Sequence, residues 1–130
     1  MGSGAMRRRL ALGVAVLAAS GALVLVAPGG ALAASDGLCA GRKVKTLPFA
    51  TGAVHVYKRN GYVCAVTLPT QPGTKRTMSV SVQARGNRPV VDEGRFAYRA
   101  GPVTVHAGHR CVWVKGAVAR DSVSSGWILC

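Results

Sequence analysis

From Gly52 onward the chain places apolar residues at every second position between clusters of turn formers, and nowhere at helical spacing. A period of two belongs to strands, whose side chains alternate between faces, so this pattern restricts the chain to an all-β fold. GAVHVYK puts Val54 and Val56 on one face and His55 and Tyr57 on the other. RNG, residues 59–61, is a hairpin signal, because Asn-Gly tolerates the positive φ of a type I′ turn. YVCAVTL sets Tyr62, Cys64, Val66 and Leu68 on one face. MSVSVQA sends Met78, Val80, Val82 and Ala84 inward and Ser79, Ser81 and Gln83 outward. VVDEG leads to a turn, RFAYR offers Phe96 and Tyr98 to one side, and PVTVH, RCVWVKGAV and a short GWILC complete the set. PTQPGTKRT and RGNRP are loops by composition, and prolines 69, 72, 89 and 102 fall at strand ends, where a missing N–H does no harm. Seven to eight short strands at this spacing predict a small antiparallel β-sandwich or barrel.

The chain ahead of these strands has a different character. Arg7, Arg8 and Arg9 precede an apolar stretch from Leu10 to Ala27, then Pro28-Gly29-Gly30 and the small residues Ala31-Leu32-Ala33. That order reads as a secretory signal peptide over residues 1–33, cleaved after Ala33 or Ala34. The stretch is long enough for an anchor, but no cationic stop follows it, so membrane contact is expected only through the leader before cleavage. Residues 1–5 precede a second methionine and read as a tag or a misassigned start. Residues 34–130 are then a single secreted domain.

All four cysteines, Cys39, Cys64, Cys111 and Cys130, lie beyond the leader, and none has C-x-x-C spacing. In an exported chain an even count implies two disulfides. Three pairings are open. Cys39–Cys64 with Cys111–Cys130 is favoured, because each bridge then ties neighbouring strands of its own half. AVHVYKRNGYVCAVTL and PVTVHAGHRCVWVKGAV share a plan of V-x-V strand, tight turn and cysteine-bearing strand, which fits either two related halves or two ordinary hairpins.

Beyond the leader, fourteen lysines and arginines face four acids: Asp36, Asp92, Glu93 and Asp121. A surface so biased attracts polyanions such as wall polymers. Arg85, Arg88, Arg95, Arg99 and Arg110 are expected to share one surface, since ARGNRP and RFAYR flank adjacent hairpins. Nucleic-acid recognition needs basic residues densely interleaved with stacking aromatics, and only seven of 130 residues are aromatic. No nucleic-acid partner is expected.

Within this framework GLCAGRKV, GYVCAVT, YRAGPVTVHAGHRCVWVKG and SSGWILC resemble the spore-associated protein A family, small exported proteins of sporulating, filamentous actinobacteria. The block around Ala100-Gly101-Pro102-Val103, with Tyr98 and Cys111, is the most specific part. Trp113 departs from the family pattern by standing one place nearer the cysteine, and the chain is richer in arginine. The resemblance implies a secreted, spore- or wall-associated protein and implies no enzyme activity.

Catalytic and metal chemistry find little purchase. His106 and His109 form an H-x-x-H pair, but strand-turn-strand spacing gives them no common face, and His55 belongs to another hairpin. Zinc needs three or four ligands held tetrahedrally. HAGHRC therefore reads as a hairpin turn, with no metal and no cofactor expected. Ser122, Ser124 and Ser125 read as part of a polar loop, RDSVSSG, with Asp121 but no placeable histidine, and there is no G-x-S-x-G elbow. Asp92 and Glu93 are adjacent, a spacing that rarely lets two carboxylates meet across a substrate. No enzyme activity is expected. An alternative to polymer adhesion is a small protease inhibitor presenting Lys75 and Arg76 at the tip of TQPGTKRT, with a secreted protease as partner.

Overall fold

A computed structural model describes residues Leu38–Cys130. The expected signal peptide, residues 1–33, and its cleavage point lie outside the described residues. Eight strands follow in order: β1 (Arg42–Phe49), β2 (Gly52–Arg59), β3 (Tyr62–Pro69), β4 (Arg76–Ala84), β5 (Val90–Phe96), β6 (Ala100–His106), β7 (Val112–Val118) and β8 (Asp121–Ile128). They form two antiparallel four-stranded sheets, sheet I in the order β1-β2-β3-β6 and sheet II in the order β5-β4-β7-β8. The fold is a β-sandwich closed by the disulfides Cys39–Cys64 and Cys111–Cys130.

Alternation decides which face is core. Val54 and Val56 of β2 and Met78, Val80, Val82 and Ala84 of β4 are all fully buried, facing one another with Val112, Val114 and Val118 of β7. Burying a valine side chain contributes roughly 1.5–3 kcal/mol, and β-branched residues suit the pleat. On β3 the alternation splits two ways. Val63, Ala65 and Thr67 fill the central core, while Cys64, Val66 and Leu68 face outward under a lid of Leu38 and Cys39, with Tyr57 beside them. Both faces of β3 are thus covered, and Cys39–Cys64 holds the lid in place.

Three hydrogen bonds sew the sheets together. Thr67 Oγ1 donates to the Ser79 carbonyl (2.9 Å), Thr51 Oγ1 to the Val118 carbonyl (2.8 Å), and the Gly101 N–H to Asp92 Oδ2 (2.7 Å). Thr67 is the one buried polar side chain among the described residues, and its bond satisfies it.

Several local expectations are corrected. β1 is a full strand that alternation does not reveal, because Arg42, Lys43, Lys45 and Pro48 stand where an inner strand would carry apolar residues. It is an edge strand, where charge and proline are tolerated. VVDEG does not turn: β5 runs straight through Gly94 to Phe96, whose ring lies against that glycine. RDSVSSG is not a loop but most of β8. HAGHRC is not a hairpin turn, since β6 pairs with β3 in sheet I and β7 with β4 and β8 in sheet II. It is a corner that carries the chain between sheets, so the two similar-looking stretches of sequence have different topologies. Pro102 sits inside β6 rather than at its end, on the other edge of sheet I. Asn60 and Gly61 make the two-residue β2–β3 turn at φ +49° and +83°, as the Asn-Gly signal predicts.

A candidate polyanion-binding end

Strand direction sorts the cations into two groups. β2, β4, β6 and β8 run toward one end of the sandwich, and β1, β3, β5 and β7 start there. That end, called the upper end below, gathers the start of β1, the β2–β3 turn, the β4–β5 loop and the β6–β7 corner. It carries Arg42, Lys58, Arg59, Arg85, Arg88 and Arg110, with His106 and His109, and no Asp or Glu belongs to those segments.

Backbone contacts make these segments one surface. Gly61 O accepts from the N–H groups of Ala107 (2.9 Å) and Gly108 (3.0 Å), docking the corner on the β2–β3 turn. Arg85 N donates to the Cys111 carbonyl (3.0 Å), joining the corner to the β4–β5 loop. The Arg110 guanidinium is a clamp, donating to the carbonyls of His106 (2.8 Å), Ala107 (3.1 Å) and Arg85 (3.3 Å). Gly41 packs so tightly against the Lys58 carbonyl and Arg59 Cβ that it admits no side chain there, and its φ of +95° suits glycine alone. Arg42 pairs with Lys58 across β1 and β2. Shallow clefts lined by Arg42, Lys58, Arg59, Tyr62, His106 and His109 converge on Asn60.

The five arginines expected on one surface are divided. Arg85, Arg88 and Arg110 are at the upper end. Arg95 lies opposite Thr77 near the far end of β4, and Arg99 follows β5 there. Thr77 is eight residues from Arg85, so the two groups stand about 26 Å apart at strand rise. Arg42, Lys58 and Arg59 are the residues that sequence reasoning missed. The signal was present: RKVK before the turn-bounded strand ending in Lys58-Arg59 requires only antiparallel pairing to bring the charges together.

At the opposite end Lys75 is exposed, but Arg76 begins β4 and its guanidinium folds back on its own loop, donating to the Gln71 and Thr74 carbonyls. The tip of that loop is Gln71–Gly73 rather than the Lys75–Arg76 bond. Asp92 points inward to Gly101, while Glu93 points outward opposite Ser79. Two of the three β8 serines are engaged: Ser124 Oγ accepts from the Trp113 indole N–H (2.6 Å), and Ser125 Oγ accepts from Val114 N (2.9 Å), while Ser122 is exposed. His106 lies edge-on to Tyr62, with centroids 4.8 Å apart. Among the described residues no three His, Cys, Asp or Glu side chains come together in a cluster fit for a metal ion.

Set against known proteins, the chain matches no family model, no curated protein and no solved structure.

Proposed function

We propose that this is a non-catalytic secreted protein, retained on the spore or cell wall through adhesion of its upper end to anionic surface polymers. The observation that carries the reading is the convergence of six lysines and arginines from four chain segments on an end whose turns hold no carboxylate. The resemblance to the spore-associated protein A family supports the spore or wall setting, and two disulfides are consistent with an extracellular location. Arg95 and Arg99 add to the overall field rather than to this surface. The inhibitor alternative loses ground because the Arg76 side chain is committed to its own loop.

Charge-based adhesion weakens with salt through screening and counterion release. The test is a salt-titrated pull-down of the oxidised chain from residue 34 on spores and on isolated walls. Retention that falls steeply with salt is the expected result. Retention unchanged by salt, or none at low salt, overturns the proposal.

A further inference from the structure

At the upper rim of sheet II, beside the basic end, both tryptophans of the chain stand together on the outer face. Trp113 of β7 pairs with Trp127 of β8, edge to face, with ring centroids 5.2 Å apart and planes at 87°. The inner neighbours Val112 and Ile128 pack on the core, so the indoles must point out. Trp127 remains 37 % exposed. Its ring carries the Arg85 guanidinium, 5.3 Å from the centroid. Lys115 stands two residues along β7 on the same face, opposite Ser124, and Gln83 stands opposite Trp113 on β4.

These side chains are held in place before any ligand arrives. The Trp113 N–H is fixed on Ser124 Oγ (2.6 Å), the Arg85 backbone is tied on both sides by Cys111 O and the Arg110 guanidinium, and Cys111–Cys130 closes the strand ends next to both indoles. Gln83 Nε2 donates to Asn87 O (2.8 Å), which leaves its amide oxygen to accept. An exposed, immobilised aromatic among hydroxyl, amide and cationic groups suits a ligand with an apolar ring face and a polar, anionic rim. A uronic-acid pyranose has that form: axial C–H groups on one face, hydroxyls at the edge and a carboxylate for Arg85 or Lys115. A glycerol- or polyphosphate chain has the charge and lacks the ring.

We infer that the Trp113–Trp127 pair, with Arg85 and Lys115, is a sugar-ring subsite, and that the polymer held by the basic end is an acidic polysaccharide. The inference rests on the adhesion reading and adds to it the class of polymer. Nucleobases stack best on flat, serially exposed rings; a perpendicular pair beside serines and an amide favours a sugar.

The chain's only tryptophans are the subsite itself, so its intrinsic fluorescence reports occupancy directly. The oxidised protein is titrated with polygalacturonate, with polyphosphate and with oligo-thymidylate, following tryptophan emission and, separately, retention on the immobilised polymer. The expected result is retention by both polygalacturonate and polyphosphate, with a saturable emission change only for polygalacturonate. Trp127→Ala then weakens polygalacturonate binding about tenfold and leaves polyphosphate retention unaltered. Should that variant misfold, Trp127→Leu, which keeps apolar bulk and loses the ring without changing charge, makes the same comparison. Equal retention without an emission change for polygalacturonate overturns the subsite and leaves adhesion standing. Emission changes as large with oligo-thymidylate overturn the sugar assignment in favour of bases. Retention by neither polyanion overturns the adhesion reading beneath it.

Discussion

Gly116 faces inward at the middle of β7, and a Cβ there would overlap Val54 Cγ2 and Thr67 Oγ1. Its absence makes room for the one buried polar side chain of the described domain, so the glycine and the Thr67–Ser79 hydrogen bond belong together. Gly116→Ala is expected to cost about 2–3 kcal/mol through overpacking, read as a drop in the urea midpoint. Thr67→Val keeps the shape and loses the bond between sheets, at about 1 kcal/mol. If the alanine costs less than the valine, the sheets are not held at a fixed spacing there. His55 shows a different residue-scale effect. Partial burial, and secondly the Lys43 ammonium, hold its imidazole below the ordinary pKa of 6.5. The unfolded chain therefore binds the proton more readily. Stability is full above about pH 6.5, falls as pH drops toward the folded pKa and levels off below it. His55→Gln is expected to flatten that fall in melting temperature measured between about pH 8 and pH 5; an unchanged profile assigns the fall to other groups.

At the scale of strands, legibility followed burial. β4 was plain in the sequence because one face is dry and the other wet, giving Met78, Val80, Val82 and Ala84 at strict alternation. β1 was hidden because an edge strand rich in cations has no apolar rhythm, and β8 because its serines read as loop until Trp113 and Val114 are seen to claim Ser124 and Ser125. Both cysteine pairs are the expected ones, but only Cys111–Cys130 ties neighbouring strands; Cys39 lies ahead of β1 and its bridge to Cys64 pins the lid on the outer face of β3. The β6–β7 corner reads as a hairpin in the sequence because a V-x-V strand followed by a tight turn looks the same whether the next strand pairs back or changes sheet. What decides it is the docking of Ala107 and Gly108 on Gly61, a contact distant in sequence. The β7–β8 turn carries its own local cost, since Ala119 sits at φ +58°, a left-handed conformation that disfavours a Cβ. Ala119→Gly is expected to raise stability by about 0.5–1 kcal/mol; no gain would mean that the Ala119 N–H bond to Thr77 already holds the turn without strain. Replacing Cys39 and Cys64 together by alanine removes loop closure worth about 3 kcal/mol and frees the lid over Val66 and Leu68. It should therefore cost more than replacing Cys111 and Cys130, as judged by chemical denaturation.

Across the whole molecule the question is whether charge acts through its total or through its placement. Both ends of the sandwich are basic, but they differ in kind. The lower end has Lys75, Arg95, Arg99 and Arg120 together with Asp121, and Arg76 is folded onto its loop. The four segments of the upper end carry lysines and arginines with no Asp or Glu, and are bonded to one another through Gly61, Arg85 and Arg110. A diffuse field would make the two ends interchangeable, because long-range attraction depends on net charge. A polymer lying on a surface responds instead to the charges it touches, each of which releases counterions when it binds. Two variants of equal net charge separate these cases: Arg42, Lys58, Arg59 and Arg88 to glutamine, and Lys75, Arg95, Arg99 and Arg120 to glutamine. All eight positions are outside the central core, so both variants are expected to fold. The upper-end variant should lose most of its retention on spores and walls. Its dependence of log affinity on log salt should fall by up to about 0.9 per charge removed, the figure for a dense linear polyanion such as B-DNA. The lower-end variant should keep the slope and lose only a little affinity through the weaker field. Equal losses would mean that adhesion follows the molecule's total charge, and that the convergence of six cations on one end is a consequence of strand direction alone.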